Sequence, residues 1–219
     1  MSKEISIPHL CQTSYWDCGV TCVRMVLSYY KIDLNLFDAL LSEYNCNKST
    51  WSIDLLNMLS YLHVRSKLST ITLGCSDNYA SVPYYKNIID KDRQRVEELF
   101  SNQKLNFEKC SLEWSNIKLE LDQNKPFIVL IDANKLSCIC CTSIVGRLIS
   151  KVWSSSYQGH YIVVVGYQID EKQTEYVLYK DPGSTECLCK TTIENFDRAR
   201  KAFGTDEDII ICEGLESDK

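Results

Sequence analysis

The spacing of apolar residues changes character at Pro126, and that change constrains the fold more than any other feature of the chain. After Asp17, the positions Val20, Val23, Met25, Val26, Leu27, Tyr29 and Tyr30 recur as on the buried face of a helix, with Asp17 placed to cap its first amides. Leu34 to Tyr44 and Ile53 to His63 repeat the three-to-four spacing. Arg65 to Leu73 alternates like a strand, Val82 to Asn102 reads as a longer, charged helix, and Leu112 to Gln123 as another, opened by Ser111 with Glu113 and Trp114 in its first turn. Beyond Pro126 the apolar residues come in β-branched runs: Phe127 to Ile131, Tyr161 to Val165, Tyr176 to Tyr179 and Ile209 to Ile211. These predict the strands of a mostly antiparallel sheet. Between the last two, Thr191 or Thr192 is placed to cap a helix that runs through Phe196 and Ala199 to about Phe203 and stops at Gly204. Helices first and strands later describe an α+β domain in two lobes.

With 219 residues, 45% apolar and 11% aromatic, the chain can fill one core, and no Pro/Gly/Ser-rich linker divides it. A single domain over residues 1–219 is expected. A net charge of -5 and a pI of about 5.3 leave no global positive field to draw in nucleic acid or an anionic membrane. The basic clusters Lys91, Arg93, Arg95 and Arg198, Arg200, Lys201 are accompanied by acids and read as solvated helix faces. Twelve cysteines would suit a disulfide framework in a small secreted chain, but the segment Met1 to Pro8 has no apolar stretch of the signal-peptide kind. Reduced thiols in the cytosol or nucleus are expected. No apolar run approaches the roughly 20 residues of a membrane helix, so the reading is a soluble protein with neither a nucleic-acid nor a membrane partner.

Four residues carry the candidate chemistry. Cys18 falls at the predicted start of the first helix, where free N–H groups and the helix dipole favour a thiolate, and Gly19 beside it lets a substrate backbone approach. A buried core thiol is the competing reading. Of three histidines only His160, after Gly159, opens a strand, where it can be held rigidly as a base or can simply be a satisfied structural residue. Asp181 precedes Pro182 and Gly183 and would open a turn in any case; in an antiparallel pair it would also come to the same sheet edge as His160 and orient the imidazole. Gln12, six residues before Cys18, could add a side-chain N–H to the backbone N–H of Cys18 in binding an oxyanion. The separation of thiol and imidazole, about 140 residues, is that expected of a papain-like domain.

The segment from Gln12 through Asp17, Cys18 and Gly19 to Met25, together with Gly159-His160-Tyr161 and Asp181-Pro182, resembles the active-site signature of C39-like, papain-like cysteine peptidases. Tyr15 to Gly19, Trp51 to Leu55, Tyr157 to His160 and Phe203 to Asp208 resemble the guanylyl-cyclase-domain-containing family over nearly the whole chain. The resemblance implies a papain-like fold, with Cys18 as nucleophile, His160 as general acid and base, Asp181 as orienting group and Gln12 as oxyanion donor. It implies no cofactor. The family name instead implies cyclisation of GTP, for which Asp54, Asp170 and Asp206, Glu207 and Asp208 would be the available carboxylates. Against that, no glycine-rich phosphate loop precedes a helix.

The leading expectation is a papain-like cysteine hydrolase acting on a peptide or protein substrate. A guanylyl cyclase and a catalytically silent binding module on the same fold are the alternatives. Cys138, Cys140 and Cys141 with Cys187 and Cys189 would pool thiolates for zinc only if their loops meet, and free thiols or a local disulfide are the other readings. Loops expected at Asn45 to Thr50, Cys75 to Ser81 and Leu136 to Ser156 would carry specificity, the last as a lid or docking surface.

Overall fold

A computed structural model of the protein describes residues 2–44, 49–85, 88–140 and 157–216. Its elements in chain order are β1 (Ser2–Glu4), α1 (Cys18–Tyr29), α2 (Leu34–Glu43), α3 (Ser52–Tyr61), β2 (Val64–Thr70), α4 (Ile89–Phe100), β3 (Phe107–Lys109), α5 (Trp114–Asp122), β4 (Phe127–Asp132), β5 (Gly159–Ile169), β6 (Glu175–Lys180), β7 (Cys189–Thr192), α6 (Ile193–Arg200) and β8 (Ile209–Leu215). The strands form one sheet in the order β3-β2-β8-β4-β5-β6-β7, with β1 added beside β5. Every pairing is antiparallel except β2 with β3. The α+β class with a mostly antiparallel sheet therefore stands.

The uninterrupted run in β4 is buried at all of its positions, as a strand covered on both faces requires. α1 packs against β5, α3 against β2, and α6 against β4 and β6, so the helices cover a sheet whose strands come from both halves of the chain. In α1, Cys22, Val23, Met25, Val26 and Leu27 are wholly buried, which is why its apolar spacing was so legible. At Gly166, a Cβ would stand 1.9 Å from the carbonyl oxygen of Lys3. Only glycine lets β1 lie this close to β5, where a bulge interrupts the pairing with β6.

Several local expectations are corrected. Helix α4 starts at Ile89 rather than Val82, because Asp77–Ser81 forms a 3-10 turn and further turns follow to Tyr85. Ser111 does not open α5; Glu113 occupies the cap position and the Ser111 hydroxyl donates instead to Glu207. Of the two threonines offered as caps, Thr192 caps α6, accepting from the Asn195 amide, but the helix ends at Arg200, three residues short of Phe203. Neither basic cluster is simply solvated. Arg200 is fully buried and bonds Asp197 and the Leu112 carbonyl, while Arg95 pairs with the wholly buried Asp54 and with Asp92. Strands β1, β3 and β7 were not foreseen. Of the expected loops, residues 45–48 and 141–156 lie outside the described residues.

Candidate active site

α1 begins at Cys18 because residues 12–17 are folded against it. The Asp17 carboxylate, expected to cap the helix, makes no such bond. It turns back and accepts from the Thr13 amide at 3.1 Å, the Thr13 hydroxyl at 2.8 Å and the Ser14 amide at 3.0 Å. That turn presents the Ser14 carbonyl to Gln12, whose Nε2 donates to it at 2.7 Å. One amide hydrogen of Gln12 is thus committed, and Nε2 carries a second. The Gln12 backbone N–H donates to the Pro182 carbonyl at 2.8 Å, tying this arm to the segment that carries Asp181.

The base and its partner come from adjacent strands. β5 opens with Gly159 and His160, paired with Asp132 and Ile131 of β4, so the imidazole sits on a strand held from its first residue. β6 runs antiparallel to β5, with Lys180 opposite Val163, and returns the chain to the same edge. There Asp181 Oδ1 accepts from His160 Nε2 at 2.8 Å and from the Gly183 amide at 2.8 Å. The His160 side chain is only 15% exposed. With Nε2 engaged, Nδ1 is the nitrogen left for the Cys18 thiol, and each of the two groups favours the charged form of the other. A Cβ at Gly183 would lie 3.4 Å from His160 Cε1 and 3.2 Å from Asp181 Oδ1, so the turn closes over the pair at van der Waals distance.

The electrostatics follow from this contact. Burial pushes the Cys18 thiol up, but the hydrogen bond and charge of His160, with the backbone N–H groups of Tyr161 and Gly19, outweigh it and hold the thiol below its ordinary range. For His160, burial pushes down while the Asp181 and Cys18 contacts push up, and the balance lies at about 10. Burial likewise pushes Asp181 up, but the His160 hydrogen bond and charge bring it below the usual carboxylate value. The arrangement favours a thiolate beside an imidazolium, the imidazole being oriented by the Asp181 carboxylate.

Gln12, Cys18, His160 and Asp181 all line one cleft of about 400 Å³. Its other walls include Asn134, Leu136 and Ser137 from the segment after β4, and Tyr15, which is 89% exposed at the mouth. The structure thus brings the four nominated residues together. Sequence reasoning missed Asp17 as the residue that shapes the Gln12 turn, although the acid beside the thiol was in plain sight. It also missed Tyr161, whose backbone meets the Cys18 sulfur and whose ring would crowd a Cβ at Gly19 at 2.9 Å.

The other candidate clusters disperse. Asp54 is buried against Arg95, the Trp51 amide and the Tyr44 hydroxyl, and Asp170 closes the β5–β6 turn through the Lys172 and Thr174 amides. These carboxylates do not converge with Asp206 and Asp208, and no group of three or more His, Cys, Asp or Glu side chains suited to a metal forms among the described residues. Cys138 and Cys140 approach to 3.5 Å between their sulfurs, while Cys189 is buried and Cys187 exposed. Cys141 lies outside the described residues, so the described thiols do not build a four-ligand zinc site. No helix among the described residues is long and apolar enough to cross a membrane.

A thiol at a helix start, facing a histidine at the start of one strand and an aspartate just past the end of its antiparallel neighbour, is the arrangement of the papain-like α+β class. A C39-like peptidase from Bacillus anthracis superposes over 100% of both chains with a TM-score of 0.54 at 14% identity, which fixes the fold. A double glycine motif protease from an AMS/PCAT transporter, solved with its leader peptide, aligns over 96% of this chain and 92% of its own with a TM-score of 0.47 at 15% identity. Within that fold, the chain belongs to the guanylylate cyclase family, whose model matches residues 7–212. Guanylyl cyclase 1 of Arabidopsis thaliana is 32% identical over 219 residues, spanning 96% of this chain and 76% of the plant protein.

Proposed function

We propose that the chain is a cysteine hydrolase that cleaves a peptide or amide bond in a peptide or protein substrate through an acyl-enzyme. The observation that carries this reading is the continuous contact from Asp181 through His160 to Cys18 inside an open cleft. The Cys18 thiolate attacks the carbonyl carbon, forming a C–S bond as the carbonyl electron pair moves onto oxygen. That oxygen is received by the backbone N–H of Cys18, which the helix ladder does not use, and by the second side-chain N–H of Gln12. Collapse breaks the C–N bond, and the imidazolium gives its Nδ1 proton to the departing amine. His160 then takes a proton from water, which attacks the thioester, releasing the acid and restoring the thiolate–imidazolium pair.

The test is terminus mapping by mass spectrometry after a peptide pool is incubated with the protein. New termini are expected with the wild type and not with Cys18→Ala or His160→Ala. Cleavage that persists in purified Cys18→Ala overturns the reading. A wild type that cleaves nothing, with a Cys18 that reacts as an ordinary thiol, favours a binding module in the same cleft.

The names of the family and of the plant relative supply a second reading, conversion of GTP to cyclic GMP. It predicts saturable GTP binding in calorimetry with Mg²⁺ or Mn²⁺ and an activity indifferent to Cys18→Ala. Absence of that binding removes it. The dispersal of Asp54 and Asp170 away from Asp206 and Asp208 favours the hydrolase.

A further inference from the structure

Behind the catalytic cleft lies a second, smaller chamber, and the two share a wall. Gly159 lines the cleft, and a Cβ there would stand 2.9 Å from the Tyr157 hydroxyl and 3.2 Å from that of Tyr84, both of which line the chamber. Tyr161 belongs to both sides: its backbone meets the Cys18 sulfur, and its hydroxyl sits 3.0 Å from Ser52 Oγ in the chamber. The remaining lining is rich in oxygen and negative charge. Asp206 and Asp208 face it, and no lysine, arginine or histidine is among the described residues that do.

Two oxygen atoms in this lining are spare. Asp208 Oδ1 and Thr50 Oγ1 are both shut off from solvent and have no hydrogen-bond partner among the described residues. A buried acceptor left unmatched is costly, and an unmatched carboxylate oxygen more so. Burial and the neighbouring Asp206 push Asp208 up to about 7, against the opposing pull of the Ser52 and Thr70 hydroxyls. Asp206 accepts from the Tyr79 hydroxyl at 2.5 Å. A small donor satisfies both spare atoms, and one carrying positive charge also balances the paired carboxylates of Asp206 and Asp208. Space decides which: the chamber holds about 30 Å³, and a water needs roughly 10–15 Å³ on this measure, so an ammonium head fits and a guanidinium or trimethylammonium does not.

We propose that this chamber binds a primary ammonium, and that the ammonium belongs to the substrate residue lying across the shared wall beside the scissile bond. The substrate role rests on the hydrolase reading; the ammonium site does not. An –NH₃⁺ group offers three donors, enough for Asp208 Oδ1, Thr50 Oγ1 and one neighbouring hydroxyl. Both a lysine side chain and a free α-amine present this group.

The test has two arms on the full chain. Calorimetry with n-butylammonium is expected to give saturable binding that tetramethylammonium does not give, weakened at least tenfold in Asp208→Asn and a few-fold in the isosteric Thr50→Val, which serves if the first variant does not fold. Absence of n-butylammonium binding, or binding that neither variant weakens, overturns the site. In the second arm Cys18 is alkylated by peptidyl chloromethyl ketones bearing capped lysine, uncapped norleucine or capped norleucine, each rate divided by that of iodoacetamide on the same variant. A tenfold or greater preference for capped lysine assigns the side-chain amine, and one for uncapped norleucine the α-amine. Equal rates overturn the substrate role. If n-butylammonium binds and no peptidyl ketone reacts with Cys18, the hydrolase reading fails and the ammonium site stands.

Discussion

Replacing His160 by alanine isolates what the imidazole does to the thiol. Burial of Cys18 would then be opposed only by the backbone N–H groups of Tyr161 and Gly19, so the thiol rises relative to the wild type. The size of the effect at pH 7 can be bounded. A thiol at its ordinary pKa of about 8.5 is about 3% ionised there, so complete ionisation raises the thiolate about 30-fold. A more acidic thiolate is a weaker nucleophile, with a Brønsted slope of about 0.4–0.5, which takes back part of that gain. The net expectation is that Cys18 in the wild type is alkylated about tenfold faster than in His160→Ala at pH 7. The sign with pH is also fixed. In the wild type the thiolate–imidazolium pair exists from the lowered Cys18 value up to about 10, where His160 loses its proton. The rate should therefore be nearly flat near neutrality, while the variant keeps climbing with pH until the two converge around pH 10. Mass-resolved alkylation with iodoacetamide from pH 5 to 10 reads Cys18 separately from the other thiols. Identical pH dependence in both proteins would refute the argument, because it would mean the imidazole lends the thiol nothing.

Other perturbations give equally definite outcomes. Asp208→Asn should stabilise the protein in a pH-dependent way: its folded value, about 7, lies above its unfolded one, so native stability is lost as pH rises from about 4 through about 7. Urea unfolding should show little difference from the wild type at pH 4 and a gain with an upper bound of about 4 kcal/mol at pH 8; equal gains at both pH values would contradict it. Gly166→Ala should cost about 3 kcal/mol by the same assay, since the new Cβ meets the Lys3 carbonyl and must push β1 away; a neutral result would place β1 elsewhere. Arg95→Ala leaves Asp54 buried without its cation and should cost about 3–5 kcal/mol, a loss that Asp54→Asn in the same chain should partly restore.

What the sequence disclosed, and what it withheld, follows from how many residues had to agree. α1 and β4 were legible because each repeats one burial pattern over many positions, from Cys22 to Leu27 and from Phe127 to Asp132. Strands β1 and β3 have three residues each, too few for any period, and owe their form to the strands they join. Cys18, His160 and Asp181 were legible because each sits next to a recognisable element boundary, a helix start, a strand start and a strand end, while Gln12 was read from its place six residues before the thiol. Asp17 was read as a cap because position favours it, yet the nearby Thr13 and Ser14 amides outbid the helix for its oxygens. The chamber beside the cleft was illegible, since Thr50, Ser52, Tyr85, Tyr157, Tyr161 and Asp208 come from segments scattered through the chain and share no spacing.

The order of strands has a consequence for how the protein comes into being. β8 is the last strand among the described residues, yet it lies in the interior of the sheet, with β2 on one side and β4 on the other. Until residues 209–215 leave the ribosome, β2 and β4 each present an open edge, and the sheet exists only as two unjoined pieces. A chain cut short before Ile209 should emerge as a sticky fragment, with the edges of β2 and β4 left open.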